Sequence, residues 1–399
     1  MSDLLPLRFA LPDGRPATLL ARDDATVLSV DDALVSSWDL GGRPYALVRG
    51  TGTYRRGLDG GLLWKREAAA DGPRVHRRLS AAEGEAVVEA ARREAEAALA
   101  ALGASGPADL VERLRTVAAM DGKALGDDAA RFLAASGPVG ILPPDQYLAL
   151  VVRVTEGCSW NACTFCRLYR EVPFRFKRRE ELERHIDALR AFFGPSLALR
   201  RSVFLGDANA LALAHDLLLP LVETVGARFP GAPLHSFLDA WTGARRSAAD
   251  WRAYAARGLK RVYVGLETGD PAHLAWLEKA GSPQEAVDLV GALHEAGVAA
   301  AVIVLLGVGG ERFANGHAAR TAAALSAMRL RPDDLVYFSE YVDDPGLAYG
   351  RRAAGEVDLQ PLSTSRCAEQ RREIQSAFHP ADPARPPRTA TYDVREFVY

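Results

Sequence analysis

The chain is poor in sulfur: its 399 residues hold four cysteines and three methionines. Four thiols are too few for a disulfide framework in a protein of this length. Long apolar runs are also missing. The longest, Val298 to Val308, falls well short of the roughly 20 residues that a membrane-spanning helix needs. Neither sign of charge dominates, and a formal net charge of −2 gives no electrostatic reason to bind nucleic acid or a membrane surface. Nucleic acid is therefore disfavoured as a partner, and no membrane association is expected. The opening MSDLLPLRFALPDGRP lacks a basic leader followed by an apolar stretch, and Pro6 and Pro12 would interrupt one. A cytoplasmic, reducing location is expected.

What the chain does have is regular organisation. Residues 1–140 read as an α+β module: residues 44–66 form extended segments around Asp59-Gly60-Gly61, and Ser80 with Glu83 supplies a capping box for a helix through Leu102. Residues 141–350 alternate short apolar strands with capped helices. The strands expected are 148–154, 202–205, 233–237, 261–266, 299–306 and 334–338, with helices at about 179–193, 210–227, 248–257, 271–280, 283–296 and 316–329. Six β-then-α units imply parallel strands with right-handed crossovers. A complete eight-unit barrel takes about 250 residues, so the fold class expected is α/β, a partial (β/α)6 TIM-type barrel behind a smaller N-terminal module. Residues 351–399 read as a proline-rich C-terminal extension.

In such folds the chemistry gathers at the C-terminal ends of the strands. That rim receives Cys158, Cys163 and Cys166 from the first strand, Gly206 and Asp207 from the second, Asp239 from the third, Glu267 from the fourth, Gly307 to Glu311 from the fifth and Glu340 from the sixth. Any single acid among them is equally well a solvated turn or a helix cap. The cysteines stand apart, three of the four falling within nine residues of EGCSWNACTFCR. Clustered thiolates select zinc or an iron–sulfur cluster. Structural zinc closes its shell with four protein ligands, yet no histidine lies within ten residues and Cys367 is about 200 residues away. Three cysteines instead suit a four-iron cluster with one iron left open.

At this point the chain resembles the radical S-adenosylmethionine (SAM) superfamily, which carries three cluster cysteines in a loop after the first strand of a partial barrel. An aromatic residue precedes the last cysteine, here Phe165. The spacing departs from the usual pattern, with four residues and then two between the cysteines instead of three and then two. VFLGDANAL at 203–211 is similar to the family's second-strand motif, implicating Gly206 and Asp207 at the amino group of SAM. RVYVGLETGD at 261–270 is similar to the fourth-strand motif, placing Glu267 near the cofactor, and VIVLLGVGGE at 302–311 to the adenine-facing fifth strand, with Gly307 and Glu311. The resemblance implies a [4Fe–4S] cluster, SAM, an external low-potential donor of flavodoxin or ferredoxin type, and reductive SAM cleavage to a 5′-deoxyadenosyl radical that takes hydrogen from a substrate. The substrate is unspecified. The alternative from a different class is a non-catalytic zinc- or cluster-binding barrel with a structural or regulatory role.

Auxiliary clusters would need more cysteines than remain, and Cys367 reads as a buried helix residue. The basic residues Arg167, Arg170, Arg175, Lys177, Arg178 and Arg179 read first as a solvated loop and helix start. Trp241, Tyr337, Glu340 and Tyr341 lie at later strand ends, as pocket lining or as packing.

Overall fold

The structure, a computed structural model, describes residues 6–66, 75–344 and 346–399. Eight strands, from Leu7–Ala10 to Val75–Arg78, pair in chain order as one antiparallel meander. The expected hairpin is Gly52–Arg56 against Leu62–Arg66. Gly60 turns it at φ +89, a left-handed conformation that glycine adopts without steric cost. Helix Ala81–Leu102 follows, started by the Ser80/Glu83 capping box. Its alanines at 91, 95 and 98 share a core with Leu19, Leu28, Trp38 and Leu47 of the sheet. Small residues at this spacing let the helix approach the strands closely.

The second half is a sheet of seven parallel strands: Leu150–Arg153, Val203–Gly206, Leu234–Asp239, Leu259–Glu267, Ala299–Leu306, Leu335–Glu340 and Arg388–Thr391. Helices cover its outside, so the strands are apolar on both faces rather than alternating. Val203, Phe204 and Leu205 are each at most 2% exposed. At about 1.5–3 kcal/mol for each buried side chain, burial alone is enough to hold so short a strand. This is the partial TIM-type barrel expected, with one strand more. The seventh, Arg388–Thr391, comes from the C-terminal segment and pairs in parallel with the sixth, Leu335 opposite Arg388 through Phe338 opposite Thr391.

Two contacts fix the ends of the barrel. At the floor, Asp145 accepts hydrogen bonds from the hydroxyls of Tyr263 (2.6 Å) and Tyr337 (2.8 Å) and pairs with Arg261 (3.2 Å). Tyr337 therefore belongs to the closed end. The N-terminal module is tied on by Arg43, whose guanidinium forks onto Asp128 (2.6 and 2.9 Å) and donates to the Phe192 carbonyl (3.1 Å). No helix of the described residues is long and apolar enough to cross a membrane.

Candidate functional site

The open end leads into a cavity of about 630 Å³ bordered by all three clustered cysteines. Its loop is shaped by backbone contacts. Gly157 takes φ +74 and Asn161 φ +50, and the Asn161 N–H points at Cys158 Sγ (3.4 Å). Thr164 is buried and donates from both N–H and hydroxyl to the Leu277 carbonyl (2.9 and 3.2 Å). Arg170 gathers the loop's outward carbonyls, donating to Asn161 (2.7 Å), Ala162 (3.2 Å), Cys166 (3.0 Å) and Cys163. The basic run is thus largely engaged: Arg175 and Lys177 hold Glu156, and Arg167 pairs with Asp344.

Burial pushes the Cys163 thiol up to about 11 and raises Cys166 as well. Lys279 draws both back down. These thiols would ionise poorly in the bare protein, and a cationic metal core is the kind of partner that offsets the cost. No histidine lines the cavity among the described residues, and Cys367 does not reach it. Cys367 is buried on helix Thr364–Ala377, facing Gly307 and the Leu362 carbonyl (3.7 Å).

Phe165 and Glu267 border the cavity. Glu267 sits at φ +60, where the fourth strand slips register against the fifth. Its carboxylate meets Lys279 Nζ at 3.0 Å, with only 10% and 14% of the two side chains exposed. Burial alone would pull Lys279 down, but Glu267, together with Cys163 and Asp239, offsets this and leaves it above its ordinary value. Gly265 makes room for the pair, because a Cβ there would lie 2.6 Å from Glu267 Oε1 and 2.9 Å from Lys279 Nζ.

The remaining expected residues sit elsewhere. Asp207 is turned into the protein, accepting from Arg153 Nε and Nη2 (3.0 Å each) and from Gly157 N–H (3.2 Å). Burial raises its carboxyl while Arg153 draws it back down. Its own N–H and the Gly206 carbonyl are taken by Thr155. Gly206 packs on the first strand, where a Cβ would meet Val151 at 3.2 Å. Gly307 donates to Gln370 Oε1 (3.0 Å) and accepts from Leu362, and a Cβ on it would strike Cys367 Sγ at 2.6 Å. Glu311 is exposed and paired with Arg366 (3.2 Å). Helix Thr364–Ala377 and the turn before it cover this region, which is why neither residue faces the cavity.

Three wall residues had no signal of their own in the sequence. Lys279 falls inside the helix expected at about 271–280, but the helix ends at Trp276 and Glu278, at φ +53, turns the chain inward. Ala208 and Asn209 replace Gly206 and Asp207 in the wall. The Asn209 amide donates to Ser159 Oγ (2.9 Å) and to Asp239, which also caps the next helix through Thr242 N–H (2.7 Å). Glu340 and Tyr341 line the cavity, while Trp241 lies outside it, 6.3 Å from Trp160.

The profile of the Radical SAM superfamily matches residues 152–315. These residues are a radical SAM domain. The cofactors of that family are a [4Fe–4S] cluster and SAM. The matched span starts in the first barrel strand and ends early in the helix after the fifth, taking in the three cysteines, Glu267 and Lys279. No curated protein sequence matches the chain significantly. Similar solved structures include methylornithine synthase (PylB), at 18% identity over 63% of this chain and 67% of that one, with a TM-score of 0.41. Coproporphyrinogen III oxidase (HemN) from Escherichia coli is similar at 18% identity over 61% and 54%, with a TM-score of 0.43. The radical SAM methyltransferase TsrM from Kitasatospora setae, solved with cobalamin and a [4Fe–4S] cluster, gives 14% over 59% and 54%, with a TM-score of 0.43. The chain therefore spans about half the length of the last two.

Proposed function

We propose that this chain is a radical SAM enzyme in which Cys158, Cys163 and Cys166 hold a single [4Fe–4S] cluster and the 630 Å³ cavity takes SAM and a substrate. One observation carries the reading: three half-buried thiols on one loop border a large cavity that receives no histidine and no fourth cysteine from the described residues. Such a donor set leaves one iron without a protein ligand. When bound and reduced by a low-potential donor of flavodoxin or ferredoxin type, the cluster supplies the electron that cleaves SAM to methionine and a 5′-deoxyadenosyl radical, which abstracts hydrogen from the substrate.

The protein's part is positioning. Arg170 and Thr164 fix the loop, and Lys279 places a buried positive charge near Cys163 and the carboxylate of Glu267. We assign Phe165, Glu267 and Lys279 to the SAM side of the cavity. Gly206, Asp207, Gly307 and Glu311 act behind that wall, supporting it. The zinc alternative needs a fourth protein donor, and Asp239 and Glu267, the carboxylates nearest in kind, are already engaged by Asn209 and Lys279.

Anaerobic reconstitution tests the reading. It should give about four irons and four sulfides per chain, and dithionite with SAM should yield 5′-deoxyadenosine and methionine. Alanine at 158, 163 or 166 should abolish both cluster and product, whereas Cys367→Ala should retain them. A colourless protein holding one zinc would overturn the proposal.

A further inference from the structure

The acids bordering the cavity are Asp239, Glu267, Glu340, Asp343 and Asp344. Three of them are matched: Asp239 by Asn209 and Thr242, Glu267 by Lys279, Asp344 by Arg167 and the Gly346 N–H. Asp343 is exposed and stays hydrated. Glu340 is different. It is half-buried at the end of the sixth strand, opposite Leu306, and its carboxylate forms no hydrogen bond or ion pair with a side chain of the described residues.

Burial raises the Glu340 carboxyl, Arg395 and Arg371 draw it back, and Asp393 adds to the rise. Neither cation closes on it. Arg395 forks onto Asp393 (2.8 and 2.7 Å), and Arg371 donates to Thr391 Oγ1 (2.9 Å) and lies over the Phe338 ring. The cavity that Glu340 borders also has Phe237, Tyr263, Tyr341, Tyr392 and Phe397 in its lining, Tyr341 being the next residue along the chain. A carboxylate that no described side chain pairs with directly, in a cavity whose lining carries several aromatic rings, is the recognition pattern for an ammonium group attached to an apolar body.

We infer that the substrate carries a protonated amine beside an aromatic or apolar moiety, and that Glu340 binds the amine. The assignment rests on the cavity being the substrate site of the proposed enzyme. Glu340 is a specificity-determining residue in this scheme, and it transfers no electron or group.

The test uses cluster-loaded protein with SAM, titrated anaerobically with phenethylamine, tyramine and tryptamine and with their N-acetyl partners, which keep the ring and lose the charge. At least one amine should bind tenfold or more tightly than its N-acetyl partner, since a charge-assisted contact in a desolvated pocket is worth about 1.4 kcal/mol or more. Glu340→Gln should erase that preference, and Asp343→Asn should keep it. The melting temperature of Glu340→Gln should be unchanged or higher, because an uncompensated carboxylate is removed, and this separates lost recognition from lost folding. Equal binding of amine and amide throughout the series, or a preference that survives Glu340→Gln, overturns the inference. Failure of the enzyme reading shows separately, as no 5′-deoxyadenosine from reduced protein and SAM, because the titration reads binding alone.

Discussion

Replacing Asp207 by asparagine separates a structural carboxylate from a cofactor ligand. In the structure both oxygens are engaged by Arg153 and Gly157, at 3.0 to 3.2 Å, and the Arg153 and Asp207 side chains are 9% and 4% exposed. Asparagine keeps one acceptor but strands the guanidinium, whose other contact is the Ser136 carbonyl at 3.2 Å. Breaking a buried pair from one side costs roughly 3–5 kcal/mol. In a chain of this size, at about 2.1 cal/mol/K of unfolding entropy per residue, that lowers the melting temperature by about 4–6 °C. The loss should appear equally in cluster-free protein, because the pair joins the first and second strands and needs no cofactor. Cluster content should fall with it, since Gly157 opens the cysteine loop, while the fraction that loads should bind SAM with wild-type affinity. Calorimetric melting of both forms, followed by SAM titration of the loaded form, makes the comparison. Wild-type melting of the cluster-free variant together with lost SAM affinity would refute the reasoning and make Asp207 a ligand.

Three other outcomes are expected. Gly265→Ala should raise the SAM dissociation constant about tenfold, equivalent to 1.4 kcal/mol. It should barely alter melting, because the new Cβ displaces only the flexible ends of Glu267 and Lys279; unchanged SAM binding would count against that pair as a cofactor contact. Arg170→Met should leave global stability within about 0.5 kcal/mol, as expected at an exposed site, and should speed iron loss to a chelator, since four loop carbonyls lose their donor. The third concerns pH. Burial drives His185, His235 and His273 down to about 4 and His317 to about 3. The folded chain therefore keeps them neutral while the unfolded chain takes up protons, so their contribution is complete above about pH 6.5 and is lost as the pH falls towards 4. At pH 5 linkage gives about 2 kcal/mol for each histidine. Urea midpoints of cluster-free protein at pH 7.5 and pH 5.0 should differ accordingly, and equal midpoints would mean that the rings are solvated.

The barrel was legible because its signals are local. Ala299–Leu306 and Arg179–Phe193 match the expected boundaries, the strand by its unbroken apolar run and the helix by its period. The cysteine triplet was legible for the same reason. What escaped depends on contacts distant in sequence. The seventh strand, Arg388–Thr391, has the sequence RTAT, whose residues are exposed or half-buried, and only pairing with Leu335–Glu340 makes it a strand. Asp207 could not be told from a ligand without Arg153, 54 residues away. Gly307 carried a motif suited to close approach, but the group that approaches is Cys367, 60 residues later. The glycine's requirement was readable, and the identity of its neighbour was not.

The cavity also divides along the chain in a way that bears on specificity. The part that we assign to the cofactors, with Cys158, Cys163, Cys166, Glu267 and Lys279, lies within the matched residues 152–315. Much of the remaining lining lies outside them: Glu340 at the end of the sixth strand, Tyr341 just past it, Tyr392, Arg395 and Phe397 after the seventh, and Arg78 from the N-terminal sheet. Arg78 donates to the Phe397 carbonyl, and Lys65 holds Glu396 at 2.8 Å. The N-terminal module therefore braces the C-terminal segment that carries Tyr392, Arg395 and Phe397 into the cavity wall. A family likeness confined to the cofactor part carries the radical chemistry and is silent on the substrate. Selectivity has to be sought where the two ends of the chain meet over Glu340.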